Sequence, residues 1–189
     1  FYGNRGKETI TEESGPGTGF LADVCKQWEA CTKSAEEAGI RVVHLRTGVV
    51  MHPEGGALQK MLTPFKMGIG GVVGSGEQYM SWIELDDLVR VFQLCLSDAK
   101  CQGAINGTAP EPVTNAEMTK VLGSVLHRPT FLPVPSFGPK LLLGGELAEA
   151  LLFTSQRVLP AVLTEQQFPF AHTTLKAALR SLLDRPVAA

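Results

Sequence analysis

Apolar positions recur with helical spacing early in the chain. Between residues 19 and 38 they fall every three to four residues, at Phe20, Val24, Trp28 and Ala35. That spacing collects them on one face and predicts an amphipathic helix packed against a sheet. Gly39 stands where a left-handed residue commonly ends a helix.

The segment IRVVHLRTGVV, residues 40–50, is β-branched and almost continuously apolar. This composition predicts a strand buried on both faces, as in a parallel sheet. Downstream, Thr114 and Glu117 have the spacing of a capping box before a helix. The remaining pattern predicts helices at 57–66, 86–96 with Asp86 as N-cap, 115–128, 137–152 and 173–183, and strands at 78–83 and up to Asn106.

The element order is helix, strand, helix, strand, helix, strand, and then mostly helices. Such an order predicts an α/β fold with a helical C-terminal lobe. We expect the sheet to occupy residues 1–110, with loop segments at about 51–83 interleaved, and the lobe to occupy residues 111–189. Ligands of doubly wound parallel sheets bind at the carboxyl ends of the strands, which directs attention to the residues after VVHLR, YMSWI and AIN.

Composition narrows the class of protein. The chain has 189 residues, a formal net charge of -2 and 44% hydrophobic residues, so charge gives no case for nucleic-acid binding. No apolar run reaches the length needed to span a bilayer. The four cysteines and four histidines lack metal-site spacing, so we predict no metal and expect reduced thiols in a cytosolic or organellar compartment.

Several motifs resemble a known family. They are FYG, CKQWE, RTGVV, the glycine-rich GIGGVVGSGEQ followed by SWIELDD, NGTAPEPVTNAEM and HRPTFLPVP. Together they resemble the atypical extended short-chain dehydrogenase/reductases, and more closely the epimerase family 39U, over nearly the whole chain. The resemblance implies a Rossmann-like doubly wound parallel sheet, a smaller substrate lobe and NADP as cofactor.

The resemblance covers the C-terminal portion of such a protein. The family fold begins with a strand, a GxxGxxG turn and a helix whose amides hold the cofactor pyrophosphate, and this motif is not in the sequence. We therefore expect that half of the domain to lie upstream of Phe1.

The family's Tyr-x-x-x-Lys pair is also replaced. Anchoring on Glu29 puts Leu21 and Cys25 at the tyrosine and lysine positions. Leucine cannot transfer a proton, and a neutral thiol cannot replace an ammonium group. Lys26 lies about 100° further around the helix, so we expect it to face solvent.

Candidate site residues follow from the same resemblance. Tyr2 is a candidate for contact with nicotinamide or substrate, and for catalysis; the alternative is a packed aromatic with a satisfied hydroxyl. Cofactor contacts are expected from the strand exit at Arg46, Thr47, Gly48, Val49 and Val50. A substrate-cleft wall, rather than a phosphate loop, is expected from Gly74, Gly76, Gln78 and Trp82.

Other polar residues leave alternatives open. Glu84, Asp86 and Asp87 form either an acid/base or metal cluster or, as we favour, a turn with helix-capping carboxylates. Arg157 is interpreted first as a structural ion-pair or interlobe residue and second as a binder of a substrate anion. His44 is expected in the core.

Two functions are consistent with this sequence. One is an NADP(H)-binding epimerase or oxidoreductase that acts on an unidentified small molecule without the usual Tyr-Lys pair. The other is a catalytically degenerate reductase fold in a structural or regulatory role, with a protein partner that covers the edge of the truncated sheet.

Overall fold

The computed structural model describes residues 1–131, 134 and 153–184. The helices are α1 Phe20–Ala30, α2 Lys33–Glu37, α3 Gly56–Lys66, α4 Leu85–Ser97, α5 Asn115–Leu126, α6 Ala161–Glu165 and α7 Leu175–Asp184. The strands are β1 Thr9–Ile10, β2 Val43–Thr47, β3 Val49–His52, β4 Tyr79–Met80, β5 Trp82–Glu84, β6 Gly103–Gly107, β7 Val113–Thr114 and β8 Arg157–Val158. The helix predicted at 137–152 lies outside the described residues.

Two parallel strand pairs form the centre of the α/β fold. β2 pairs with β6, and β3 pairs with β5. Gly48 joins β2 to β3: its amide donates to the carbonyl of Gly107 (3.0 Å), while the amide of Val49 donates to that of Ser81 (2.8 Å). The parallel arrangement confirms the predicted Rossmann-like class.

Gly48 is required by the close packing at this junction. A Cβ atom there would lie 2.8 Å from the carbonyl oxygen of Ser81 and 2.9 Å from Cγ2 of Thr108. Both distances are shorter than side-chain contacts allow, so a larger residue would force the strands apart. Gly48 is therefore needed for the close packing of the β2–β3 junction against Ser81 and Thr108.

Two apolar clusters lie on either side of these strands. One joins α3, α5 and α7 around the fully buried Trp82 and Leu122. The other packs α4 and α6 against β2, β5 and β6, around Ile83 and Ile105. Because α3 packs with α5 and α7, the 51–83 segment contributes to the helical side of the molecule; the division at residue 110 stays a prediction.

The helix predicted at 19–38 is in fact two helices. The chain turns at Thr32, whose hydroxyl donates to the carbonyl of Glu29 (2.8 Å) and contacts His44 Nε2 (2.8 Å). Two residues of the predicted apolar stripe, Phe20 and Trp28, do not pack on this sheet, since they are 78% and 70% exposed, whereas Val24 and Ala35 are half-buried. The inward face carries Ala22 and Glu29 instead, because it lies against a polar part of the sheet.

Two predicted strands are likewise interrupted. The apolar run at 40–50 contains both β2 and β3, and its residues are mostly half-buried rather than buried on both faces. The run at 78–83 divides into β4 and β5 at Ser81. Ser81 accounts for the second break, because its hydroxyl donates to the carbonyl of Gln156 (2.9 Å) and accepts from the amide of Val158 (2.8 Å).

The helix starts give one correction and one confirmation. Glu84, rather than Asp86, precedes the first turn of α4, and no side chain caps that helix. The capping box of α5 is present: Thr114 Oγ1 accepts from the amide of Glu117 (3.2 Å), and Glu117 Oε2 accepts from the amide of Thr114 (2.7 Å).

Residues 1–19 contribute a strand and buried side chains to the fold. Within them β1 pairs in parallel with β8, matching Thr9 to Arg157. Tyr2 and Ile10 are buried with Val158 in a small third cluster. The β4–β7 pair, in contrast, is antiparallel.

Within the described residues, no helix combines the length and apolarity needed to cross a membrane.

Candidate functional site

Tyr2 lies at the centre of a buried polar network. Only 2% of its surface is exposed. Its hydroxyl donates to Oδ1 of Asn106 (2.8 Å) and accepts from Nη1 of Arg46 (2.9 Å). The hydroxyl proton therefore points at an amide oxygen, which favours the packed, satisfied tyrosine among the two interpretations of this residue.

Arg46 connects this network to α1. Its Nε and Nη2 atoms donate to the two carboxylate oxygens of Glu29, at 2.8 Å each. The guanidinium carbon also lies 3.5 Å from the centroid of the Phe1 ring. Bidentate pairing and ring stacking fix the orientation of the side chain, so Arg46 holds α1 and the N-terminal segment against the sheet.

The register of the sheet brings Arg46 and Asn106 together. They are matched residues on the parallel strands β2 and β6, one position before each strand ends. Matched residues in neighbouring strands project from the same face. Asn106 is fully buried. Its backbone amide donates to Glu12 Oε1 (3.0 Å), and its side-chain amide donates to the carbonyl of Leu159 (3.0 Å).

Burial and charge set the protonation states of the network. Burial raises the pKa of Tyr2 above 10.0, although Arg46 and Asn106 act in the opposite direction. Burial would also raise the pKa of Glu29, but the bonds and charge of Arg46 outweigh it and hold that pKa below its ordinary value. At neutral pH the network contains a neutral phenol, a carboxylate and a guanidinium.

The other predicted cofactor residues do not converge on Tyr2. Thr47 is exposed at the end of β2. The Val49 side chain packs on the cluster around Trp82, and that of Val50 on the cluster around Ile83. The structure thus brings Tyr2 and Arg46 together and packs the two half-buried valine side chains against opposite core clusters.

The two residues that the family resemblance places at the Tyr and Lys positions, Leu21 and Cys25, lie on α1. Leu21 is exposed and Cys25 is half-buried. Lys26 is half-buried, and its ammonium group pairs with Asp23 one turn earlier (2.5 Å).

The glycine-rich loop lines a shallow cleft of about 210 Å³ together with Lys7, Tyr79 and Thr114. Gly76 has a φ of +73°, and a Cβ there would lie 2.5 Å from Val72 Cγ1, so glycine is needed for the turn. Gly74 also has a positive φ, of +62°.

Two predicted cleft residues hold the structure together instead. Gln78 Nε2 donates to the carbonyl of Val73 (2.9 Å), which closes the loop on itself. Trp82 is fully buried, and its Nε1 donates to the carbonyl of Glu111 (2.8 Å). The expectation that Trp82 lines the cleft is corrected, because a fully buried ring cannot meet a ligand there.

Glu84 and Asp87 have a role that the sequence did not indicate. Both carboxylates are almost fully buried. Glu84 Oε2 contacts His172 Nδ1 (2.5 Å), while Asp87 accepts from the amide of Ala171 (3.0 Å) and pairs with Arg90. Glu84 thus fastens the segment before α7 to β5, and Asp87 fastens it to α4. Within the described ranges no group of metal-ligating side chains occurs.

Arg157 is held without an ion pair in the part of the chain described. Its Nη1 donates to Oγ1 of Thr9 (3.1 Å), and its guanidinium carbon lies 5.4 Å from the centroid of the Tyr79 ring. Within the described residues these contacts take the place of the expected structural ion pair, and the interlobe alternative stays a prediction.

Comparison with known proteins gives consistent findings. Residues 134–182 match the family described as Domain of unknown function (DUF1731). The chain is 43% identical over 186 residues to epimerase family protein Mb2239 of Mycobacterium bovis, and 42% identical over 183 residues to the chloroplastic SDR39U1 homolog of Arabidopsis thaliana. These alignments cover 98% and 97% of the chain, but only 62% and 52% of the relatives' own length.

Solved structures give the same picture. The crystal structure of human epimerase family protein SDR39U1 (isoform 2) with NADPH matches with a TM-score of 0.88 and 31% identity, over 98% of this chain and 62% of that one. A UDP-glucose 4-epimerase of Thermus thermophilus in complex with NAD shares the fold, with a TM-score of 0.73 at 16% identity.

Proposed function

Because the chain belongs to the epimerase family represented by protein SDR39U1, we propose that it supplies the nicotinamide-side wall and substrate lobe of an NADP(H)-binding epimerase or oxidoreductase. The observation that carries this proposal is the exit of β2 at the half-buried Arg46 and the exposed Thr47, which lies beside β6 at the carboxyl ends of two parallel strands. Ligands of such sheets bind there. The NADPH in the similar human structure supports the choice of dinucleotide.

The donor set fits the nicotinamide half of NADP and not its phosphates. The charges of Arg46 and Glu29 cancel within their pair, so this edge suits the uncharged dihydronicotinamide ring of NADPH and a ribose. Thr47 adds an exposed hydroxyl at the end of β2. A pyrophosphate needs a glycine-rich turn at a helix N-terminus, which we assign to the additional length that the relatives have.

When bound, NADP would supply hydride transfer, and the residues of this chain would orient it and its substrate. Arg46 fixes α1 against β2 through Glu29, and Asn106 fixes the Tyr2 hydroxyl. Tyr2 acts as a positioning residue, because its proton is engaged by Asn106. With Leu21 and Cys25 in place of the Tyr-Lys pair, we expect slow reduction of simple carbonyl compounds.

Nicotinamide fluorescence measured while NADPH is added to the full-length protein tests the proposal. We expect saturable binding, and binding at least about tenfold weaker for Arg46→Met, because the β2 edge loses a charge-assisted anchor. Arg180→Gln, which removes one exposed charge from α7, is the matched control. Absence of saturable binding by the wild-type protein would refute the proposal.

A second candidate function, a structural or regulatory subunit, is favoured by one feature. Phe20, Leu21 and Trp28 are all exposed on α1. Exposed apolar faces of this kind are typical of protein interfaces. If NADPH is not bound and the full-length protein forms a complex that Trp28→Ser dissociates, as measured by light scattering, this second function replaces the first.

A further inference from the structure

We propose that an exposed apolar patch with cations beside it binds the surface of an anionic membrane. This loop patch consists of Met67, Ile69 and Phe131, with Lys66 and Arg128 next to them. The protein would lie on the bilayer, with these side chains in the headgroup region and no segment crossing it. The inference goes beyond the proposed function and does not depend on it.

Two neighbouring segments of the chain form the loop patch. One follows α3 and the other follows α5. Nε of Arg128 donates to the carbonyl of Lys66 (3.0 Å), and further along both segments the amide of Val134 donates to the carbonyl of Val72 (2.9 Å). The same number of residues separates the two contacts on either segment, so the segments run side by side in the same direction.

Three large apolar side chains on these segments project into solvent. Met67 is 68% exposed, Ile69 is 54% exposed and Phe131 is 79% exposed. Ile69 and Phe131 are level with each other, because each follows the first contact by the same number of residues. Thr130 packs on α5, since a Cβ atom at Gly123 would lie 2.3 Å from its Cγ2. Thr130 thus holds the segment while the next residue, Phe131, points outward.

The charge around the loop patch has one sign. Residues 55–76 and 118–131 contain no aspartate or glutamate, and their cations are Lys60, Lys66, Lys120 and Arg128. The whole chain, in contrast, has a formal net charge of -2. Cations gathered beside exposed apolar side chains favour a surface that is both negatively charged and apolar underneath, as an anionic bilayer is.

The carboxylates that flank these stretches in sequence are engaged elsewhere. Glu77 pairs with Lys7, and Glu117 belongs to the capping box at the start of α5. Because a helix rises 1.5 Å per residue, Glu117 lies about 16 Å from Arg128 along α5. That distance exceeds the screening length of about 8 Å at physiological salt, so Glu117 does not cancel the charge of the loop patch.

A bilayer fits the loop patch better than a protein does. Stable protein interfaces bury about 800 Å² on each partner, whereas three side chains present only a few hundred. A symmetric contact with a second copy would also bring the cations Lys66 and Arg128 of both copies together. A bilayer requires no shape complementarity, and it accepts apolar side chains that project beyond cations.

Flotation of the full-length protein with lipid vesicles tests the proposal. Vesicles of phosphatidylcholine alone are compared with vesicles in which about a third of the lipid is phosphatidylglycerol. We expect saturable binding to the anionic vesicles, at least about tenfold stronger than to the neutral ones and weaker as salt is added. Lys66→Gln should weaken it about fivefold, because a cation near an anionic surface contributes about that factor.

The apolar part of the loop patch is tested at Phe131. Phe131→Ser should weaken binding at least about tenfold, since the ring is no longer withdrawn from water. In Phe131→Trp, the added indole emission should be quenched by lipids with brominated acyl chains. Leu96→Ser on α4 is the matched apolar control, because Leu96 is also 79% exposed, and Lys100→Gln is the matched charge control.

Several results would overturn the inference. They are absence of binding to the anionic vesicles, equal binding to neutral and anionic vesicles, and a loss in Leu96→Ser as large as that in Phe131→Ser. A dimer that Phe131→Ser dissociates in the absence of lipid, measured by light scattering, would assign the loop patch to a second copy instead. Melting temperatures of the variants show that each is folded, and NADPH titration reports the proposed function separately.

Discussion

The guanidinium of Arg46 contacts both carboxylate oxygens of Glu29 at 2.8 Å, across 17 residues of chain. This pair joins the end of β2 to the last turn of α1. Because both side chains are largely shielded from water, the pair contributes more than an exposed ion pair would.

We expect Glu29→Gln to lower the free energy of unfolding at pH 7 by about 1–3 kcal/mol, since a charge-assisted bidentate contact is lost. The pKa of Glu29 is held below its ordinary value of 4.5. Its contribution is therefore fully present above pH 4.5 and is lost as the pH falls through the lower, folded-state value. Urea unfolding at several pH values measures both effects. Glu37→Gln, in an exposed pair with Lys33, is the control, and an equal loss there would contradict the prediction.

Tyr2→Phe removes a hydroxyl that both donates and accepts a hydrogen bond. We expect a loss of about 1–2 kcal/mol in the free energy of unfolding, because Asn106 Oδ1 loses its donor. Burial raises the pKa of Tyr2 above 10.0, so this stabilisation is present below pH 10 and disappears as the pH rises through the higher, folded-state value.

Ultraviolet titration of tyrosine ionisation checks the second part, because the highest-pH component should vanish in Tyr2→Phe. Tyr79→Phe keeps a ring at the other tyrosine position and is the matched control. Survival of the late component in Tyr2→Phe would show that the assignment is wrong.

Gly48→Ala should destabilise the protein by about 1–3 kcal/mol, because the added methyl group would lie 2.8 Å from the carbonyl oxygen of Ser81. Gly15→Ala offers a matched comparison, since a Cβ at Gly15 meets no atom within 4 Å. Thermal unfolding of the two variants gives the difference. Equal melting temperatures would mean that the β2–β3 junction adjusts without cost.

His172→Ala should loosen the segment before α7, because Glu84 loses its contact with Nδ1 of the ring. The expected cost is about 1–3 kcal/mol of the free energy of unfolding. Hydrogen exchange at the amides of Ala171 and His172, which donate to Asp87, should accelerate. His52→Ala is the comparison, because the ring of His52 accepts from the amide of the nearby Glu54. Unchanged exchange in His172→Ala would contradict this account.

Local patterns predicted local structure well. Helices α3, α4 and α5 begin and end within one or two residues of their predicted bounds, and the Thr114–Glu117 capping box is present. These features depend on residues a few positions apart. The break at Thr32 was missed because it depends on a hydroxyl that contacts His44, 12 residues away.

The direction in which a helix faces was harder to predict than the helix itself. The apolar residues Phe20 and Trp28 suggested the packed face of α1, but the sheet presents the charged Arg46 to that helix, and Glu29 meets it. The periodicity of α1 does not indicate which residues of the sheet will pack against that helix. Glu84 and His172, 88 residues apart, were missed for the same reason, since neither position has a local signal for the other.

The pairing of β1 with β8 affects the order in which this protein acquires its structure. Thr9 and Arg157 are 148 residues apart, so their contact closes a very long loop. Contacts of such high sequence separation form slowly and late in folding. During synthesis, Tyr2 and Ile10 stay without Val158 until the ribosome has passed residue 158. The Tyr2–Asn106 network is therefore among the last parts to mature, and a nascent chain stalled before residue 157 should lack it.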